Sequence, residues 1–234
     1  MVGWELLNAA TRALRRRHGA SGLLVQTAVL VSFALCAGHA AARTIHIVAL
    51  GDSLTAGFGL ATAESFPSVL TRRLRDEGFD AEVANAGVSG DTATGGLERL
   101  DWSVPNNADL VIVELGANDM LRDVPPAVTR AALDAILGRL RARHIPAVLA
   151  GMKSVTNWGG RYRADFERIY PDLSASYDAP LYPFFLDGVA GHAYLLLGDG
   201  LHPNAKGVER MVDSFTAFLN PILIARFGET SGSR

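Results

Sequence analysis

From residue 44 onward, short apolar runs alternate with longer amphipathic stretches, and this alternation predicts the elements of the fold. Thr44-Ile45-His46-Ile47-Val48-Ala49-Leu50 is rich in β-branched and aliphatic residues with little period-two pattern, as a parallel strand buried on both faces requires. Leu110-Val111-Ile112-Val113-Glu114-Leu115 is the clearest such run, and Ala147-Val148-Leu149-Ala150 is a shorter one. Asp80 to Ala84 predicts a short strand. Leu181 to Phe185 predicts a last one, and Pro180 and Pro183 suit it to a sheet edge. Between the strands, Phe66-Pro67 opens a helix with Phe66, Val69, Leu70 and Leu74 on one face, ending before Gly78. Further helices are expected over Thr94 to Trp102, over Pro125 to Arg143, and over Tyr162 to Tyr177, where Pro171 should interrupt or kink the chain. A closing helix should run from near Asn204 to Phe227. The regular order of strand and helix predicts an α/β fold with a parallel sheet covered on both faces. It spans a single domain over residues 43–227, with a frayed tail over 228–234.

Composition narrows the class. Of the 234 residues, 49% are hydrophobic and 20% charged, which suits a packed globular chain. A net charge of -2 without a basic stripe in the globular part gives no reason to expect a nucleic-acid partner. The first 42 residues read differently. Arg15-Arg16-Arg17-His18 precede a mostly apolar run from Gly22 to Ala37, and Ala40-Ala41-Ala42 follow, the order of a secretory signal peptide cut after Ala42. A periplasmic or secreted location is therefore expected, with no stable membrane insertion once the signal is removed. If it is retained, Gly19 to Ala42 approaches the roughly twenty residues of a membrane anchor. Cys36 is the only cysteine and would leave with the signal, so neither a disulfide nor a thiolate metal site is expected in the mature chain.

Candidate chemistry lies in the loops that follow the strands. In open parallel sheets, ligands bind beyond the carboxyl ends, and Ser53 in Gly51-Asp52-Ser53-Leu54-Thr55-Ala56-Gly57-Phe58-Gly59 falls there. So do Gly90, in Asn85-Ala86-Gly87-Val88-Ser89-Gly90-Asp91-Thr92, and Asn118, in Gly116-Ala117-Asn118-Asp119. A serine hydroxyl can act as a nucleophile, while a backbone N-H beside a glycine and an asparagine amide can steady the oxyanion of a tetrahedral intermediate. Asp199-Gly200-Leu201-His202-Pro203-Asn204 stands just before the last helix. There His202 could take the Ser53 proton and Asp199 could hold the imidazole.

Other residues point elsewhere. His46 reads as a hydrogen-bonded core histidine, and His144 as a cation near a helix carboxyl end. His192 with Asp187 is the rival pair to His202 with Asp199. Glu114, in so apolar a strand, either caps backbone groups or pairs with a cation. No histidine has a second metal ligand at recognised spacing, and Walker A, G-x-G-x-x-G and G-x-S-x-G motifs are absent. No metal and no cofactor are expected.

Four blocks, in order, resemble those of the SGNH (GDSL) hydrolases: Gly51-Asp52-Ser53-Leu54, Gly90 within Val88 to Thr92, Gly116-Ala117-Asn118-Asp119 and Asp199-Gly200-Leu201-His202-Pro203. Tyr170-Pro171 and Leu181 to Phe185 also resemble the branch of periplasmic acyl-CoA thioesterases, lysophospholipases and arylesterases. The resemblance implies a three-layer, flavodoxin-like α/β/α sandwich with a five-stranded parallel sheet. It implies Ser53 as nucleophile, His202 as base, Asp199 as its partner, and the Ser53 backbone, Gly90 and Asn118 as the oxyanion hole. The expected substrate is a small-molecule ester or thioester, and a monomer is expected. Met152 to Gly160 departs from the branch and should border the acyl pocket. An exported carbohydrate O-acetyl esterase of the same family and a non-catalytic binding module are the alternatives.

Overall fold

The computed structural model describes residues 43–154 and 159–228. Five parallel strands form one sheet in the order β2-β1-β3-β4-β5: β1 Ile45–Gly51, β2 Ala81–Gly87, β3 Leu110–Glu114, β4 Ala147–Ala150 and β5 Leu181–Tyr182. The helices are α1 Ser53–Ala56, α2 Phe66–Asp76, α3 Ala93–Glu98, α4 Leu100–Ser103, α5 Ala117–Leu121, α6 Pro126–Ala142, α7 Gly160–Tyr177 and α8 Ala205–Phe227. On one side of the sheet α2 packs against α8, and on the other α6 packs against α3 and α7, which completes three layers.

The apolar runs fill the core as their composition requires. Leu50, Leu110, Val111, Ile112 and Val113 are fully buried, and Phe66, Phe185 and Phe215 meet edge to face under α2 and α8. Register aligns the carboxyl ends: Gly51 faces Gly87 on β2 and Glu114 on β3, and Glu114 faces Ala150 on β4. The chain leaves β1 for β2 on one side and continues to β3 on the other, so the switch point where such sheets hold ligands lies between β1 and β3.

Five local expectations are corrected. β2 runs on to Gly87 because Asn85, Ala86 and Gly87 keep pairing with β1, and a Cβ on Gly87 would lie 2.3 Å from the Ala56 nitrogen of α1. The helix expected over 94–102 is two short helices, broken at Arg99. Pro171 lies inside α7 without interrupting it, although it has no N-H to give the preceding turn. β5 stops at Tyr182, before Pro183, which cannot donate to the ladder. His46, expected in the core, is exposed on β1, and its N-H donates to Asp109 at 2.9 Å. Gly228 caps α8 through an N-H to the Ile224 carbonyl at 2.9 Å. The expected signal peptide over residues 1–42, the rest of the tail from residue 229, and residues 155–158 lie outside the described residues. Among the described residues, no helix is long and apolar enough to cross a membrane.

Candidate active site

The turn after β1 leaves little choice of residue. A Cβ on Gly51 would meet Thr55 Oγ1 at 2.0 Å and Glu114 Oε2 at 2.6 Å, so only glycine fits. The buried Asp52 caps α1, accepting the Leu54 N-H through Oδ1 at 2.9 Å. Ser53 is thereby the first residue of α1, with its hydroxyl on the rim of the sheet. The helix ends after one turn at Gly57, whose φ of 82° is left-handed.

The second segment is fixed at the entrance to α8. Asn204 caps that helix by accepting the Gly207 N-H at 3.1 Å, and its amide donates to the Tyr194 and Leu196 carbonyls at 3.0 and 3.1 Å. The Leu197 N-H reaches the His202 carbonyl at 2.7 Å. Within this turn Asp199 Oδ1 accepts the N-H groups of Leu201 and His202 at 2.9 and 3.0 Å. Asp199 Oδ2 lies 2.6 Å from His202 Nδ1, and His202 Nε2 lies 2.9 Å from Ser53 Oγ. The two backbone N-H groups and the imidazole hold the Asp199 carboxyl down at about 2. An ionised Asp199 selects the tautomer with the proton on Nδ1, which leaves Nε2 as an acceptor for the serine proton.

The structure brings the expected oxyanion groups toward the same rim with different degrees of closeness. Asn118, in the first turn of α5, donates from Nδ2 to Asp52 Oδ2 at 3.1 Å and keeps its second amide hydrogen. Gly90 has a left-handed φ of 87°, and its carbonyl is held by Arg122 at 2.9 Å. Among the described residues, neither the Ser53 nor the Gly90 N-H has an acceptor. Ser53, Asn118 and His202 line one cleft of about 220 Å³ with apolar walls that include Leu54, Met120, Met152, Phe184 and Leu186. Gly90 lies outside that lining. Met152 and Lys153 border the cleft, as expected for the loop they begin.

Several supporting residues escape a reading of the sequence. Arg99, nearly buried at the break between α3 and α4, donates to the Gly51 carbonyl at 2.8 Å, the Ala86 carbonyl at 2.8 Å and Asp91 Oδ2 at 2.6 Å. One guanidinium thus ties the ends of β1 and β2 to the Gly90 loop. Asp119 accepts from the Ala93 N-H at 2.8 Å and from Thr129 Oγ1 at 3.0 Å, joining α3, α5 and α6. Gly116, with a φ of 118°, lies over the Tyr170 hydroxyl, which donates to the Leu115 carbonyl at 3.1 Å. The Phe58 ring packs against that of His202 at a tilt, with centroids 4.5 Å apart. The signal for Arg99 is that it is the one cation between Arg75 and Arg122, among several acids; two of its partners, the Gly51 and Ala86 carbonyls, lie too far along the chain to be inferred.

Of the two readings left open for Glu114, the structure selects capping. Fully buried, it accepts from Thr55 Oγ1 at 2.7 Å and the Asp52 N-H at 3.3 Å, and no cation meets it among the described residues. Burial, and then the charge of Asp52, push its carboxyl well above the ordinary range. Burial also raises Asp52, to about 6, against the pull of the Leu54 N-H and the Asn118 amide. Among the described residues, His192 and Asp187 make no hydrogen bond or ion pair with each other, and the His192 ring packs instead against that of Tyr194.

A three-layer sandwich with this rim is the fold of the SGNH hydrolases. The chain belongs to the GDSL-like Lipase/Acylhydrolase family, whose model matches residues 49–210. It is 37% identical over 194 residues to Esterase TesA of Pseudomonas aeruginosa, covering 82% of this chain and 96% of that one. It is 35% identical over 185 residues to Thioesterase 1/protease 1/lysophospholipase L1 of Escherichia coli, covering 79% and 86%. Among solved structures it is similar to AlinE4, an SGNH-hydrolase family esterase, with 44% identity, a TM-score of 0.65, and 77% and 97% of the two chains covered.

Proposed function

We propose that this protein is an exported serine esterase and thioesterase that acts through Ser53, His202 and Asp199. The observation that carries the reading is the unbroken chain of hydrogen bonds from Asp199 through His202 to Ser53 Oγ, at 2.6 and 2.9 Å, opening onto an apolar cleft. The names of the relatives, an esterase and a thioesterase/lysophospholipase, agree with it.

In the first step His202 Nε2 takes the Ser53 proton as Oγ bonds to the acyl carbon. The carbonyl oxygen becomes an oxyanion held by the Ser53 N-H, the Gly90 N-H and the free amide hydrogen of Asn118. The bond to the alcohol or thiol then breaks, and the departing atom receives the proton from His202. Water repeats the sequence on the acyl-enzyme and releases the acid. Asp199, ionised down to about pH 2, stays charged throughout and stabilises the imidazolium.

Small-molecule acyl esters and thioesters, including aryl esters, acyl-CoA and lysophospholipid, suit the apolar cleft better than the polar face of an acetylated sugar. A monomer suffices, since every residue of the scheme lies in one chain. Export follows from the signal-like order of residues 1–42, with the mature enzyme beginning at Arg43. Ser53→Ala is expected to abolish turnover of a chromogenic short-chain ester while leaving the circular dichroism spectrum unchanged. Full activity in that variant would refute the scheme.

A further inference from the structure

The lining of the cleft reaches Ser53, Asn118 and His202 without including Phe58. The alcohol or thiol of the substrate has to leave within hydrogen-bond reach of His202 Nε2, because that nitrogen returns the proton. Phe58 stands beside that route. Its ring centroid is 4.5 Å from that of His202 with the planes 36° apart, and it is 48% exposed, so one part of the ring covers the imidazole while another faces solvent. The backbone fixes this position: the Phe58 N-H donates to the Ser53 carbonyl at 3.1 Å, between the left-handed Gly57 and Gly59.

We propose that Phe58 forms the subsite for the departing group and selects aromatic leaving groups over saturated ones. This rests on the serine-esterase reading and adds a residue that sets specificity. As the bond from Ser53 Oγ to the acyl carbon forms, the bond to the leaving oxygen breaks, and its electron pair takes the proton from His202 Nε2. An aryl group on that oxygen is then carried past the imidazole against the exposed part of the Phe58 ring. Offset or edge contact between aromatic rings adds about three- to tenfold beyond what apolar area alone supplies.

The test compares phenyl butyrate with cyclohexyl butyrate, which share an acyl group and nearly share a leaving-group size. The readout is the ratio of their kcat/KM values in wild type, Phe58→Leu and Phe58→Tyr. Differences in intrinsic reactivity between the two esters cancel when the ratios are compared. Phe58→Leu should lower the phenyl-to-cyclohexyl ratio by about three- to tenfold, and Phe58→Tyr, which keeps a ring, should hold it within about twofold of wild type. A ratio within about twofold of wild type in Phe58→Leu would overturn the proposal, even if both esters slowed together, because the ring would then only support the imidazole. Failure of the wild type to hydrolyse either ester, with no covalent label at Ser53, would remove the serine-esterase reading and this proposal with it.

Discussion

Asn118 gives one amide hydrogen to Asp52 at 3.1 Å and lines the same cleft as Ser53, which leaves its other amide hydrogen for a group bound there. If that hydrogen meets the oxyanion, Asn118→Ala should lower kcat by about 10²–10³-fold with little change in KM. A loss under about threefold in steady-state kinetics would mean that the amide only shapes its loop. Beneath it, Glu114 makes a second prediction. A carboxyl raised well above its ordinary 4.5 binds a proton in the folded protein that the unfolded chain releases. Its contribution to stability is therefore complete below pH 4.5 and is lost as the pH rises toward the folded value. In Glu114→Gln, which keeps an acceptor for Thr55 and the Asp52 N-H, that loss should vanish, so the wild type should weaken relative to the variant between pH 4.5 and 8. Denaturation curves at stepped pH check this, and parallel profiles would contradict it. At this scale the candidate residues were legible: Ser53 and Asn118 stand in strand-end loops, Asp199 and His202 in the turn before the last helix, each a side chain that acyl transfer would demand. Phe58 and Glu114 were not, since an aromatic and an acid have many uses and only their neighbours in space decide among them.

The elements show the same divide. β1 and β3 could be read from composition alone, because a strand buried on both faces admits almost nothing but aliphatic residues. The end of β2 could not, since Asn85, Ala86 and Gly87 have the residue types of a turn and stay extended only through pairing with β1. The break between α3 and α4 is equally tertiary in origin. Arg99 turns inward to two strand-end carbonyls and Asp91, bonds that no local propensity encodes. Arg99→Met leaves Asp91 and those carbonyls without their donor and should cost about 3 kcal/mol in urea denaturation. It should also lower activity, because the Ser53 and Gly90 loops lose their common tie. A cost under about 0.5 kcal/mol would show that water replaces the guanidinium.

For the molecule as a whole, the strand order matters most. Placing β2 and β3 on opposite sides of β1 gathers the loops after all three at one rim, and α8 brings the Asp199–His202 turn to the same place. The four sequence blocks were recognisable in order, but the 149-residue separation of Ser53 and His202 is closed only by that topology. At the opposite end of β1, Arg43 binds Asp109 through two hydrogen bonds, at 3.0 and 2.5 Å, so the chain is anchored from the first residue after the proposed cleavage point. Mass spectrometry of the exported protein should find a chain beginning at Arg43; recovery of the full chain from membranes would contradict cleavage there. The most direct test of the central claim is reaction with a fluorophosphonate, followed by peptide mass spectrometry. A single adduct on Ser53, absent in Ser53→Ala and strongly slowed in His202→Ala, is the predicted result. An enzyme that hydrolyses esters yet carries no adduct on Ser53 would contradict it.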